Sequence, residues 1–105
     1  MSWPFQLTPG AIEDVDEIWS FIAMENEEAA DRVKTEIESV CHHLTRYPMI
    51  GTRRPDITHL PVRFWTITKF PNYVIVYRPE TIPLRVIAVL HGKRNLKEIL
   101  KERSR

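Results

Sequence analysis

The sequence predicts an α+β domain in which a small antiparallel sheet packs on an N-terminal helical hairpin. Apolar residues recur at helical spacing in the first half of the chain and change to the period of two of a β-strand in the second half. The 105 residues are enough for one hydrophobic core, so a single domain over residues 1–105 is expected. The expected order of elements is β-α-α-β-β-β-α.

A short strand and a helix open the chain. Phe5–Thr8 alternates weakly and is interpreted as the strand. Thr8 followed by Pro9 is typical of a helix start, because threonine caps the first turn and proline lacks an N–H that would have no partner there. Trp19 belongs to the apolar stripe of this helix and is expected in the core. The complete stripe is Ile12, Val15, Ile18, Trp19 and Ile22.

A second helix follows with almost no loop. Asn26 is a suitable N-cap, and the acidic residues Glu27 and Glu28 suit the positive end of the helix dipole. Pro48 ends the helix at Tyr47, because a residue before proline disfavours helical geometry. Two helices joined so closely should form an antiparallel hairpin. The buried stripe of the second helix is Ala30, Val33, Ile37, Val40 and Leu44.

The second half has the pattern of a sheet. The segment 49–62 contains prolines and glycine and is a loop. Three strands follow, at Arg63–Lys69, Tyr73–Arg78 and Leu84–Leu90. The last strand is almost continuously apolar, which predicts a central position covered on both faces. Asn95 caps a final helix, and the outer sheet face is expected to be a shallow concave surface framed by the loop and the C-terminal segment.

Charge is distributed unevenly along the chain. Residues 1–52 carry ten acidic and three basic residues, a net charge of −7, whereas residues 53–105 carry four acidic and twelve basic residues, a net charge of +8. This asymmetry indicates that the C-terminal half contacts an anionic partner, either nucleic acid or an acidic protein. The alternative is that the two halves complement each other within the fold, and charge alone leaves both open.

Composition and motifs exclude several classes of function. No apolar run approaches the roughly 20 residues of a membrane helix, and MSWPFQLTPG lacks the features of a signal peptide, so a cytoplasmic protein is expected. Cys41 is the only cysteine, which excludes an internal disulfide. His42 and His43 are adjacent and cannot form an i, i+4 metal pair. Because GxGxxG, GxxxxGK, HExxH and GxSxG patterns are all absent, no metal and no cofactor are expected.

Basic residues gather at the ends of the predicted strands. Antiparallel pairing should bring Arg78 and Arg85 together at one end of the sheet, with Arg63 nearer His91 at the other. Such cations bind phosphates or carboxylates through charge-assisted bonds, or they remain solvated and pair with the acidic first helix. Trp65 alternates with its neighbours, so the sequence leaves open whether it faces outward to stack or to anchor a partner. The candidate residues for contacting a partner molecule are Arg63, Trp65, Arg78, Arg85, His91, Lys93 and Arg94.

Five segments, in this order, resemble the RelE/ParE superfamily of type II toxin–antitoxin systems: AIEDVDEIWSFIA, EEAADRV, YPMIGTRRPD, FPNYVIVYRP and VIAVLHGKRN. The resemblance covers essentially the whole chain, and NYVIVYR and VLHGKRN are its most specific parts. It implies the fold derived above and a cytoplasmic bacterial toxin that a cognate antitoxin neutralises by wrapping a segment around it. Operator DNA would be reached only indirectly, through the antitoxin.

The superfamily divides by activity. ParE-like members inhibit DNA gyrase by binding, whereas RelE-like members are endoribonucleases that cut mRNA on the ribosome. Of the residues used by the ribonuclease branch, the arginine after Gly-Lys is present as Arg94, but the arginine after the tyrosine of the third strand is absent, since Val74 follows Tyr73. The remaining positions of that branch fall near Trp65, Ile67 and Leu100. The resemblance therefore favours a ParE-like gyrase inhibitor without catalytic residues.

Two alternatives stay open. In the first, the chain is a ribosome-dependent endoribonuclease in which Arg94 stabilises charge and His91 acts as acid or base. In the second, it is an inactive homologue that only binds an antitoxin. One departure from the ParE-like pattern is Ala88, which stands where that branch often has an arginine.

Overall fold

The computed structural model describes residues 4–103 of the chain. Residues 1–3, part of the stretch from which the absence of a signal peptide is expected, and residues 104–105 lie outside the described part. The elements follow the predicted order: β1 (Phe5–Leu7), α1 (Pro9–Ala23), α2 (Glu27–Arg46), β2 (Arg63–Thr66), β3 (Tyr73–Arg78), β4 (Leu84–His91) and α3 (Leu96–Arg103).

The helical hairpin forms as expected, with one difference at Trp19. The side chains of Thr8 and Asn26 each accept a backbone N–H three residues further on, which caps α1 and α2. Trp19 is half-buried rather than in the core. Its indole N–H donates to Asp31 Oδ1 at 2.8 Å across the hairpin. The prediction of a core position is wrong because the polar edge of the ring bonds to a carboxylate at the solvent-facing side of the hairpin.

The sheet has the strand order β1-β4-β3-β2. β2, β3 and β4 are antiparallel neighbours, as predicted, and β4 is central. The three-residue strand β1 instead pairs in parallel with β4, placing Phe5 opposite Leu84. The prediction of a wholly antiparallel sheet is wrong at this edge. Only strands joined by a tight hairpin are forced to be antiparallel, whereas β1 and β4 are separated in the chain by α1, α2, β2 and β3.

The register between β3 and β4 shifts by one residue in the middle of the pair. Val76 lies opposite Ala88, but the next residue, Tyr77, lies opposite Val86. Ile87 therefore falls between two paired positions, as in a β-bulge. The bulge lies at the point where the edge of β4 extends beyond the short strand β1.

Both faces of the sheet are covered. The helix-facing side forms a core with α1 and α2 around Ile37, Leu44, Ile75 and Val89. On the other side, Leu100 of α3 is fully buried with apolar residues of the segment 57–62 and of the sheet. The expectation of an open concave surface on that face is wrong. Burying a side chain such as Leu100 against the sheet stabilises the fold by about 1.5–3 kcal/mol, and an uncovered face would lack this contribution.

Candidate functional site

The candidate contact residues lie at two opposite ends of the sheet. β2 begins at Arg63, Arg85 is the second residue of β4, and both strands run antiparallel to β3. Both therefore begin at the same end, where Arg78 ends β3. The prediction that Arg63 lies beside His91 is wrong for this reason. The residues at the other end of the sheet are His91, Lys93 and Arg94.

The segment His91–Arg94, called the His91 corner below, is a defined turn at the end of β4. The N–H of Gly92 donates to the carbonyl of Asn72 at 2.7 Å, which ties the corner to the turn before β3, and the N–H of Arg94 donates to the carbonyl of His91 at 3.0 Å. The N–H of Lys93 donates to His91 Nδ1 at 3.2 Å. A neutral His91 would then carry its proton on Nε2 and present it as a donor.

A cleft of about 180 Å³ lies between the His91 corner and α1. On its corner side, the Tyr73 ring makes an edge contact with His91, with centroids 5.6 Å apart. On its α1 side, Phe21 lines the cleft and is 74% exposed. Met24, just beyond α1 and outside the lining of the cleft, is 85% exposed. Exposed aromatic and methionine side chains beside a cation are typical of protein-binding surfaces. The residues lining the cleft are Asp14, Glu17, Ile18, Phe21, Tyr73, Val89, His91 and Arg94.

The charges of the cleft are mixed. Lys93 and Arg94 are exposed, and neither takes part in an ion pair within residues 4–103. Glu17 is on the opposite wall. A small free anion would meet this carboxylate as well as the arginine, whereas a protein surface can offer an acid to Arg94 and an apolar group to Phe21. The geometry therefore suits a protein partner better than a free phosphate.

A buried ion pair that the sequence reasoning missed lies at the base of the cleft. Asp14 of α1 is only 5% exposed. Its carboxylate accepts two bonds from the guanidinium of Arg103, at 2.5 and 2.7 Å, and one from the N–H of Val89 at 2.9 Å. The hydrogen bond to Asp14 raises the pKa of Arg103. A signal was present in the sequence, since Asp14 interrupts the apolar stripe of α1 beside Val15.

This pair caps the edge of β4. β1 pairs with β4 only through residue 86, so the edge beyond it needs other partners. Asp14 accepts the N–H of Val89, and the carbonyl of Ile87 accepts from Arg103 at 3.0 Å and from the Thr8 hydroxyl at 3.2 Å. Charged side chains at a strand edge prevent pairing with a further strand. The pair also holds the end of α3 against α1, and thereby fixes one wall of the cleft.

At the far end of the sheet, Arg63 has a structural contact. Its guanidinium donates to the carbonyl of Gly51 at 2.7 Å. The Tyr77 hydroxyl accepts the N–H of Gly51 at 3.0 Å and donates to the carbonyl of Pro48 at 2.7 Å. A Cβ at position 51 would lie 2.6 Å from that hydroxyl, so only glycine fits. Arg78 and Arg85 are register partners at the same end, and Arg85 is exposed.

Trp65 lies on the helix-facing side of β2, where it is half-buried against the core. Its neighbour Phe64 points to the other face and is buried beneath the segment 57–62 and α3. The sequence left open which way Trp65 faces; its side chain faces the helices and remains partly accessible to solvent.

The positions that resemblance assigns to ribonuclease catalysis are largely apolar. Ile67 and Leu100 are fully buried, so neither position faces the His91 corner as a reactive group. Burial raises the pKa of the Cys41 thiol to about 12, which makes it a poor nucleophile. Within residues 4–103, no group of three or more histidine, cysteine, aspartate or glutamate side chains could hold a metal ion. No helix of the described chain is long and apolar enough to span a membrane.

The fold and the cleft define a class of small α+β proteins in which a helical hairpin and a four-stranded sheet frame a basic corner. A solved structure described as the chromosomal ParDE TA system from P. aeruginosa has this fold, with a TM-score of 0.66, 19% sequence identity, and coverage of 83% of this chain and 92% of that chain. A comparison with curated protein sequences finds no significant match.

The sequence itself matches a family model described as the ParE toxin of type II toxin-antitoxin system, parDE, over residues 5–96. The chain therefore belongs to the ParE toxin family of type II toxin–antitoxin systems. The resemblance found in the sequence is confirmed, including its ParE-like branch. A toxin of such a system is paired with an antitoxin.

Proposed function

We propose that this toxin inhibits DNA gyrase by binding it through the His91 corner and the adjoining end of α1. Membership of the ParE toxin family is the observation that carries the proposal. The cleft supports it, because it combines exposed apolar groups with cations that have no ion-pair partner among the described residues. Gyrase acts on chromosomal DNA, so this function places the protein in the bacterial cytoplasm.

The corner offers two kinds of contact. Phe21 and Met24 are apolar anchors of the kind that supply most of the affinity in protein interfaces. Arg94 and Lys93 select for an acidic group on the partner and steer the encounter. His91 presents a hydrogen-bond donor between them. Inhibition by binding needs no general base or nucleophile, which fits the apolar residues at the catalytic positions of the ribonuclease branch.

The antitoxin is assigned to a different surface, the groove between α3 and the segment 57–61. Its wall includes Ile57, Leu60 and Leu100, with Lys97 and Lys101 at the side. An amphipathic acidic segment of the antitoxin would place apolar residues in the groove and carboxylates beside the lysines. Charge reversal at Lys97 should weaken antitoxin binding, whereas the same change at Lys34 on α2 should not. Equal binding by both variants would contradict this assignment.

A supercoiling assay with purified gyrase and relaxed plasmid tests the proposal. Wild-type toxin should block supercoiling, and the antitoxin should restore it. Arg94→Ala and Phe21→Ala should each raise the half-inhibitory concentration at least about tenfold, the loss expected for one interface anchor. Arg32→Ala, an exposed arginine of α2 outside the cleft, is the matched control and should inhibit like the wild type. Unimpaired supercoiling at high toxin concentration would contradict the proposal.

The rival function is ribosome-dependent mRNA cleavage, and the proximity of His91 and Arg94 in one cleft is its support. Primer extension on translated mRNA distinguishes it. If transcripts are cut by the wild type and left intact by His91→Ala and Arg94→Ala, the toxin is a ribonuclease. Intact transcripts together with inhibited supercoiling leave gyrase as the target, and a lack of both effects identifies an antitoxin-binding homologue without toxicity.

A further inference from the structure

The far end of the molecule carries an aromatic surface that the proposed gyrase contact does not use. Three rings link the C-terminal part of α2 to β2. The ring centroids of His43 and Tyr47 are 5.1 Å apart with planes inclined at 47°, and those of His43 and Trp65 are 6.4 Å apart with planes inclined at 42°. Tyr47 is 56% exposed, His43 is exposed, and Trp65 is half-buried. The rings therefore form a connected array that solvent reaches.

Arginines flank this array on both sides. Arg46 is the last residue of α2, directly before Tyr47. On the β2 side, an isolated antiparallel bridge between Thr52 and Phe64 brings the chain next to Arg53 close to the start of β2 at Arg63. Residues two apart in a strand point to the same face. Arg63 consequently lies on the helix-facing side of β2, the side on which Trp65 lies.

The arginines of this surface form no ion pair in the described fold. No ion pair within residues 4–103 includes Arg46, Arg53 or Arg63. The segment 39–55 contains no aspartate or glutamate. The bond from Arg63 to the carbonyl of Gly51 holds its guanidinium in place but does not neutralise it.

We infer that this surface binds single-stranded nucleic acid. Its members are His43, Arg46, Tyr47, Arg53, Arg63 and Trp65. Unpaired bases would stack on the aromatic rings, and the arginines would bind the phosphates, the combination found where proteins hold single strands without reading their sequence. A duplex keeps its bases stacked inside and has no free face for the rings.

The arrangement of the groups favours a nucleic acid over an acidic peptide. An acidic peptide would use the arginines but would leave the three rings without a stacking partner. The C-terminal end of the α2 dipole is negative and disfavours phosphate near Tyr47, although only within about one turn. The phosphates are therefore placed at Arg53 and Arg63, and the bases over the rings at the end of α2.

Fluorescence anisotropy with the full-length chain tests the inference. The probes are labelled oligothymidylate and oligouridylate of about twelve nucleotides and a duplex of the same length, each measured over a range of salt concentrations. Both single strands should bind more tightly than the duplex. Binding of either single strand that is tighter than binding of the duplex supports the inference, and the ratio of the two single-strand affinities shows whether DNA or RNA is preferred. No binding of a single strand at low salt overturns it.

Variants separate stacking from simple charge attraction. Tyr47→Ala should weaken single-strand binding about five- to a hundredfold, the range for losing one stacked base, and Tyr47→Phe should retain it. Phe21→Ala removes an exposed ring at the opposite end and is the matched control, expected to leave oligonucleotide binding unchanged. Arg53→Ala should reduce the slope of log K against log salt concentration by about 0.7, whereas Arg32→Ala should not.

Two results would overturn the inference even if oligonucleotides bind. One is equal affinity for duplex and single strand, together with unchanged binding by Tyr47→Ala. That result would show that charge attraction alone accounts for the binding. The other is displacement of the oligonucleotide by polyglutamate of equal charge, which assigns the surface to an acidic protein segment. Circular dichroism of each variant confirms folding. None of these measurements involves gyrase, so the inference stands or fails independently of the proposed function.

Discussion

Replacing Arg103 by methionine tests the role of the buried ion pair. The change leaves the Asp14 carboxylate, whose side chain is 4% exposed, with only the Val89 N–H as partner. Breaking a buried pair on one side costs about 3–5 kcal/mol. The Arg103 side chain is 22% exposed, so water can reach the vacated position and the lower end of the range, about 3 kcal/mol, is expected.

This loss is large for a domain of this size. At about 4–8 °C per kcal/mol, the melting temperature of Arg103→Met should fall by roughly 12–24 °C. Urea unfolding at pH 7, followed by circular dichroism, gives the free energy directly. The chain supplies a matched control in the exposed pair of Arg54 and Asp56, whose side chains are 48% and 61% exposed. Arg54→Met should leave the midpoint nearly unchanged.

A double variant distinguishes the burial of a lone charge from the loss of packing. Asp14→Leu combined with Arg103→Met removes both charges and should be less destabilised than Arg103→Met alone, because no unpaired carboxylate remains. If Arg103→Met unfolds at the same urea concentration as Arg54→Met, the pair does not hold α3 to α1 and the reasoning is refuted.

Three further outcomes are expected. Gly51→Ala should lower the free energy of unfolding by about 2 kcal/mol or more, because the new Cβ would lie 2.6 Å from the Tyr77 hydroxyl. Gly92→Ala is the control: its Cβ would have its nearest neighbour at 3.7 Å, so the free energy of unfolding should change by less than about 1 kcal/mol. Urea unfolding compares the two variants, and equal losses would contradict the packing argument. Cys41 should react slowly with a thiol reagent at pH 8 and rapidly in denaturant, because burial raises its pKa to about 12; rapid labelling of the native protein would show that it is accessible. Burial also raises the pKa of Tyr77, so the free energy of unfolding should fall as pH rises above about 10, where the phenol of the unfolded chain ionises first. Urea unfolding at several alkaline pH values should show a smaller fall for Tyr77→Phe than for the wild type. An equal dependence of stability on pH in both proteins would argue against this assignment.

The helical hairpin and the central strand could be predicted because their signals are local. Thr8 and Asn26 cap α1 and α2 through neighbouring residues, and the apolar run of β4 identifies its central position. The bond between Asp14 and Arg103 joins residues 89 positions apart, and no local pattern specifies such a partner. The position of Asp14 in an apolar stripe indicates only that some partner exists.

The candidate site was predicted in its residues but not in its arrangement. The sequence identified the cations, and the structure separates the His91 corner from the arginines at the far end. The error at Arg63 arose from the direction of β2, which pairing rules fix once β3 is antiparallel to both of its neighbours. The sequence did not identify Phe21 as a contact residue. Phe21 lies outside the buried stripe of α1, and its position in the sequence therefore gives no packing signal.

Comparing the two ends of the sheet in a gyrase supercoiling assay tests the central claim most directly. Arg94→Ala removes a cation of the His91 corner, and Arg85→Ala removes an exposed cation at the far end. If the toxin binds gyrase through the corner, Arg94→Ala should require at least about tenfold more protein for half-inhibition, and Arg85→Ala should match the wild type. Loss of inhibition in Arg85→Ala with full activity in Arg94→Ala, or no inhibition by the wild type, would contradict the account.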